Sequence, residues 1–256
     1  MDLASLLGII IAYGMLLFSM VATGAPLILF WDLGSLLLVV FGSLGATIMS
    51  NDMKVIKQVP TYVGLVFKSK NYSPMEVISQ LVGFAESARK DGLLSLDDAI
   101  KDVEDKFLAD GLRLVVDGTD PIIITKILEI ELSKMDDRHN RGAGFFETWA
   151  ALAPAFGMLG TVIGLIAMMA NLGDTSSIGK GMALALITTF YGSLVANSIA
   201  LPMSAKLRGN HDREMMYKEI MLEGILSIQS GDNPRILEQK LYSFLPGPER
   251  PVSQEP

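Results

Sequence analysis

A chain of 256 residues that is 50% hydrophobic, with a mean hydropathy of +0.40, is too apolar for an ordinary soluble domain, yet 19% of its residues are charged. That mixture implies membrane-embedded and water-exposed parts segregated along the sequence. A net charge of −7 excludes a general affinity for nucleic acid, and the lack of cysteine excludes disulfides and thiolate metal sites.

Charges are absent from residues 3–30, 33–51, 148–172 and 181–205. A hydrocarbon core takes roughly 20 apolar residues per helix, so four transmembrane helices are expected. The first opens on Met1-Asp2 without a basic leader, which favours a retained span over a cleaved signal peptide despite the small residues Ala22, Thr23 and Gly24. The links between spans one and two and between spans three and four hold one basic residue, Lys180, whereas residues 52–147 hold thirteen and the tail from Lys206 holds seven. Basic residues stay on the cytoplasmic side, so the long middle segment, the tail and both termini are expected there. Trp31 and Trp149 lie near span ends, where interfacial anchors belong.

The middle segment reads as helical. Ser73, Pro74 and Glu76 stand in N-cap, N1 and N3 order, and apolar residues from Val77 to Ala88 recur at helical spacing. Arg89 and Lys90 then precede Gly92, which predicts a helix ending near Asp91. Ser95 and Asp98 offer a second cap for a helix running to about Gly118, with a break at Gly111, and a third helix starts near Asp120 and Pro121. After span four, Met215, Ile220, Leu222, Ile225, Leu226 and Ile228 predict another helix that ends in a turn at 231–234. The expected division is 1–51 for spans one and two, 52–147 for a cytoplasmic helical domain, 148–205 for spans three and four, 206–245 for a C-terminal helical segment, and 246–256 for a disordered tail.

Catalytic signatures are missing. His139 and His211 are the only histidines, and neither belongs to a zinc-binding or nucleophile motif; no Walker-type loop occurs. The pairs Arg89/Lys90 and Asp97/Asp98 suit helix termini, the more ordinary reading of such clusters, with contact to a partner as the alternative. Gly157, Gly160 and Gly164 in span three allow a second backbone to approach. Span four carries Thr188, Thr189, Tyr191, Ser193, Asn197 and Ser198 among apolar residues, and Pro154 and Pro202 each free a carbonyl inside a span. None of the four spans has Asp, Glu, Lys, Arg or His. If the chain belongs to an ion pathway, another chain must supply the charge.

In order along the chain, "MDLASLLG", "SARKDGLLSLDD", "LVVDGTDP", "DDRHNRGAGFFETWAALAPAFGMLGTVIGLIAMM", "IGKGMALALITTFYGSLVAN" and "IQSGDNPRILEQKL" resemble the A subunits of bacterial flagellar stators, the MotA/PomA family in the wider group with ExbB and TolQ. The likeness looks nearer to the sodium-driven PomA-like branch. It implies a non-enzymatic inner-membrane protein without cofactor, forming a homopentamer around a dimer of B subunits that supplies a membrane aspartate. Flow of Na+ or H+ past that aspartate would drive rotation against the rotor protein FliG. By the same resemblance Arg89, Lys90, Asp97 and Asp98 would contact the rotor. Pro154 and Pro202 would serve torque generation, while Thr161, Thr188 and Thr189 would line the ion path. Sodium, which prefers several oxygen ligands, is favoured over the proton. An ExbB/TolQ-like energiser is disfavoured by the long insert and the fourth span, and a non-conducting scaffold remains the third alternative.

Overall fold

The computed structural model describes residues 3–68, 72–170, 173, 175–247 and 250. Among these residues all regular structure is helical, and four helical stretches are long and apolar enough to cross a membrane. The chain divides into two compact units, residues 1–69 with 139–209 and residues 70–138 with 210–256.

The first unit holds the spans. Span one is α1 (Leu3–Ala22), which buries none of its residues and touches span four through a 3.2 Å hydrogen bond between the Tyr13 and Ser198 hydroxyls. Span two comprises α2 (Leu33–Leu36), a wide π turn (Leu37–Gly42) and α3 (Ser43–Met49). Asp32 caps it by accepting from the Ser35 amide at 2.7 Å. The amphipathic α4 (Met53–Phe67) follows directly. Span three is the later part of α8 (Pro121–Met169), whose residues before His139 belong to the second unit. Span four comprises α9 (Thr175–Leu194), a second π turn (Val195–Ala200) and the start of α10 (Leu201–Ser230).

The interruption in span four has a local cause. Pro202 has no amide to donate and its ring crowds the carbonyl four residues back; the widened turn just before it takes up that misfit. In span two Ser43 follows the turn, and its hydroxyl donates to the Val39 carbonyl and accepts from the Trp149 indole at 3.0 Å. Trp149 therefore pins span three to span two, beyond the anchoring role expected of it. Trp31 is 59% exposed, as an interfacial residue should be.

The second unit packs α5 (Pro74–Asp91), α6 (Leu96–Ile100), α7 (Lys106–Val116), α11 (Pro234–Tyr242) and the outer parts of α8 and α10 around one core. Ile78, Leu81, Leu108, Leu112, Ile124 and Ile225 are among its fully buried side chains, each contributing about 1.5–3 kcal/mol over an exposed position. The predicted end of α5 at Asp91 is observed, with Gly92 at φ 88° reversing the chain, and the turn before Pro234 contains Gly231 at φ 72°. The tail predicted to be disordered is described only as far as 247 and at 250; the rest lies outside the described residues.

Two capping expectations fail. Ser73 precedes α5 but makes no side-chain cap hydrogen bond; its carbonyl, accepting from the Val77 amide at 3.3 Å, closes the first turn instead. Ser95 donates its hydroxyl to the Gly92 carbonyl at 2.7 Å and makes no side-chain cap hydrogen bond to α6, which lasts only five residues. The break falls at 101–105, not at Gly111. Asp105 starts the next helix by accepting from the Phe107 and Leu108 amides at 3.0 and 3.3 Å. Gly111 stays helical because it is a contact point, where an added Cβ would sit 2.5 Å from the Ile225 side chain.

Candidate functional site

Spans three and four cross on glycine. A Cβ at Gly157 would lie 2.9 Å from the Thr188 carbonyl oxygen, one at Gly164 2.7 Å from that of Gly181, and one at Gly192 2.8 Å from that of Ala153. Contacts that climb one helix while descending the other make the pair antiparallel. Lipid gives no hydrophobic reward for helix association, so this close backbone packing is what holds the two spans together. Gly181 and Gly192 have no four-residue spacing to mark them and escaped the sequence reading. Only their partners in space reveal them.

The crossing sorts the three threonines. Thr188 fills the space over Gly160, where a Cβ would meet its side chain at 2.5 Å; it is 1% exposed, and its hydroxyl bonds the Leu184 and Ala185 carbonyls of its own helix at 3.0 Å. One residue on, and therefore about 100° around the helix, Thr189 is exposed. Its Oγ1 lies 2.6 Å from Thr161 Oγ1, and both hydroxyls approach the Ala185 carbonyl, at 3.1 and 3.0 Å. Thr161 Oγ1 also reaches the Gly157 carbonyl at 3.1 Å. Two hydroxyls carry only two protons, so once each has donated, both oxygens keep lone pairs for a further ligand. The structure thus brings Thr161 and Thr189 together and sets Thr188 apart, behind them.

Thr189 heads an exposed row. Ser193 and Asn197 follow at four-residue intervals on the same face, and both are exposed. The Asn197 amide donates to the Ser193 carbonyl at 2.9 Å. A polar row at the depth of a hydrocarbon core must face protein or water, not lipid. Pro154 and Pro202 are also exposed, and the Pro154 Cα borders the crossing, 3.1 Å from the Cβ position of Gly192. At one end of the same helix, Tyr191 donates its hydroxyl to the Phe30 carbonyl at 2.7 Å and accepts from the Asp32 amide at 3.1 Å, tying down the link between spans one and two.

In the second unit Arg89 and Lys90 end α5 while Asp97 and Asp98 open α6, so the two charged pairs flank one sharp corner. All four are exposed, and Leu94 between them is 77% exposed. Basic side chains at a helix C-terminus complement its partial negative charge. Asp98 is engaged by Lys101, which donates to it at 2.7 Å and holds its carboxyl below the ordinary range. Lys101 went unnoticed in the sequence, although its spacing of three from Asp98 is the usual signal of such a pair. Arg89 also borders a cavity of about 170 Å³, shared with Ala85, Leu93, Gln229 and Asp232. Among the described residues no cluster of three or more His, Cys, Asp or Glu could hold a metal.

These features define an all-helical, multi-pass membrane protein with a glycine-crossed pair of spans and hydroxyls among their apolar residues. Residues 99–220 match the MotA/TolQ/ExbB proton channel family, and residues 6–92 match the motility protein A N-terminal region. Motility protein A of Borreliella burgdorferi is 49% identical over 96% of this chain and 94% of its own length. The structure of C. jejuni MotAB aligns with a TM-score of 0.91 over the whole of both chains at 28% identity. The flagellar MotAB stator complex from Bacillus subtilis aligns with a TM-score of 0.88 over 96% of each at 34% identity. The chain belongs to the motility protein A family, within the MotA/TolQ/ExbB proton channel family. As a member of that family, the chain is not an enzyme.

Proposed function

We propose that the chain is the A subunit of a rotary stator in the bacterial inner membrane, with five copies surrounding two B subunits and both termini cytoplasmic. Each B subunit would present its membrane carboxylate to the oxygen pair at Thr161 and Thr189. That pair, within stretches 148–172 and 181–205 that hold no charged residue, is the observation that carries the reading. The polar row through Ser193 and Asn197 supports it, because it needs a protein neighbour at membrane depth. The exposed apolar row Ile123, Ile127 and Ile130 in the second unit favours contact between copies.

Sodium is proposed over the proton. Two hydroxyls and the Ala185 carbonyl lie within about 3 Å of one another, and a partner carboxylate would complete a dehydrating oxygen shell, whereas a proton needs no such shell. Torque would pass to the rotor protein FliG through Arg89, Lys90, Asp97 and Asp98, while Pro154 and Pro202 would let the spans bend as copies move past the B helices. Thr188 supports the path from behind by filling the space over Gly160.

Co-expression with a B subunit in a stator-less strain tests this directly. Thr161→Ala and Thr189→Ala should still assemble with B but swim poorly. Full-speed swimming by both variants across a range of sodium concentrations would refute the ion-path assignment. A wild-type speed independent of sodium at fixed pH would refute the choice of ion.

A further inference from the structure

The net charge of −7 hides a strong asymmetry. The unit that contains the spans carries seven basic and five acidic residues, whereas the second unit carries fourteen basic and twenty-three acidic. The excess of positive charge in the first unit is concentrated in and beside α4: residues 53–68 include Lys54, Lys57 and Lys68 and no Asp or Glu.

Helix α4 starts four residues after span two ends at Met49. Its buried residues Val55, Tyr62 and Val66, from first turn to last, join one cluster with Phe145, Phe146 and Leu207. Phe145 and Phe146 directly precede span three, and Leu207 directly follows span four. Both ends of α4 thus belong to one cluster with residues that flank the membrane ends of spans three and four. Lys54 and Lys57, one turn apart, point away from the cluster, and Lys68 closes the helix. All three are exposed and make no ion pair among the described residues. In the second unit Lys101, Lys134, Lys218 and Lys240 are each paired with a carboxylate, while Lys90, Lys106 and Lys126 make no ion pair among the described residues but stand among that unit's excess of acidic residues. Met53 and Leu65, 63% and 43% exposed, add apolar groups to the cationic face.

We infer that α4 is a binding surface for the headgroups of anionic phospholipids. Unpaired ammonium groups on flexible stems, held at headgroup level by a helix whose other face is anchored in protein, suit phosphodiester oxygens. Exposed apolar side chains between them suit the upper acyl chains. The inference goes beyond the stator reading and needs only that the chain is embedded in a membrane.

The test uses the full chain purified in a neutral detergent, with phosphatidylglycerol and phosphatidylcholine of matched acyl chains as probes. Native mass spectrometry should show phosphatidylglycerol retained in preference, by roughly fivefold for each lysine engaged, and thermal unfolding should shift upward with that lipid alone. The triple change Lys54→Gln, Lys57→Gln and Lys68→Gln should abolish both effects, while Lys→Arg at the same positions should preserve them. Lys101→Gln, Lys126→Gln and Lys134→Gln together should leave them intact, and soluble glycerol phosphate should produce no shift. Equal retention of the two lipids would overturn the inference. So would loss of preference in the control triple variant, or an equal response to glycerol phosphate.

Discussion

Gly192→Ala isolates the contact on which the site depends. The added methyl would meet the Ala153 carbonyl oxygen at 2.8 Å and the Cα atoms of Pro154 and Gly157 at 3.1 and 3.2 Å. All three are backbone atoms, so no side chain can swing aside. The helices must part by roughly half an ångström to restore normal contact. Overpacking of this kind costs about 1–3 kcal/mol. Gly45→Ala is the control, since its methyl meets nothing within 4 Å and gains up to about 1 kcal/mol of helix propensity. Thermal unfolding of both variants in detergent, with swimming speed measured in parallel, reads the difference. Gly192→Ala should unfold earlier and swim more slowly, because Thr189 lies one turn before residue 192 and its 2.6 Å contact with Thr161 spans the same crossing. Equal unfolding of the two variants, or undiminished swimming by Gly192→Ala, would refute the argument that backbone contact sets the oxygen pair.

Lys218 donates to both Asp105 oxygens at 2.6 and 2.7 Å, while Asp105 also caps α7; Lys218→Met should cost about 1–3 kcal/mol in chemical unfolding, and Asp105→Asn less than Asp105→Ala because the cap survives. Burial, with a hydrogen bond that the phenol donates to the Glu214 carboxylate, holds Tyr72 above its ordinary range, and burial does the same at Tyr217. The folded state keeps protons that unfolded phenols release near pH 10, so stability should be level below that pH, fall above it, and fall less steeply in Tyr72→Phe; parallel curves would count against the assignment. Arg89→Glu should lower torque measured on tethered cells under load without lowering the amount of protein in the membrane.

The sequence alone established the membrane class. Four charge-free stretches of spanning length leave little choice, because burying charge in lipid is costly and every helix must satisfy its own backbone. It also placed the end of α5, where Gly92 follows two basic residues, and it nominated all three threonines. Caps proved less legible. Ser73 and Ser95 have the right chemistry, but whether a hydroxyl reaches an amide depends on local backbone angles that residue identity does not determine.

What tertiary structure decided is which candidates meet. Thr188 and Thr189 are neighbours of the same type, and their contacts differ because helix α9 turns one toward Gly160 and the other toward Thr161. Gly181 and Gly192 matter through atoms on another span, and Asp105 through a lysine 113 residues away. Local spacing reports which face of a helix a residue occupies. What stands opposite that face is set by packing between distant segments, and only the folded chain contains it.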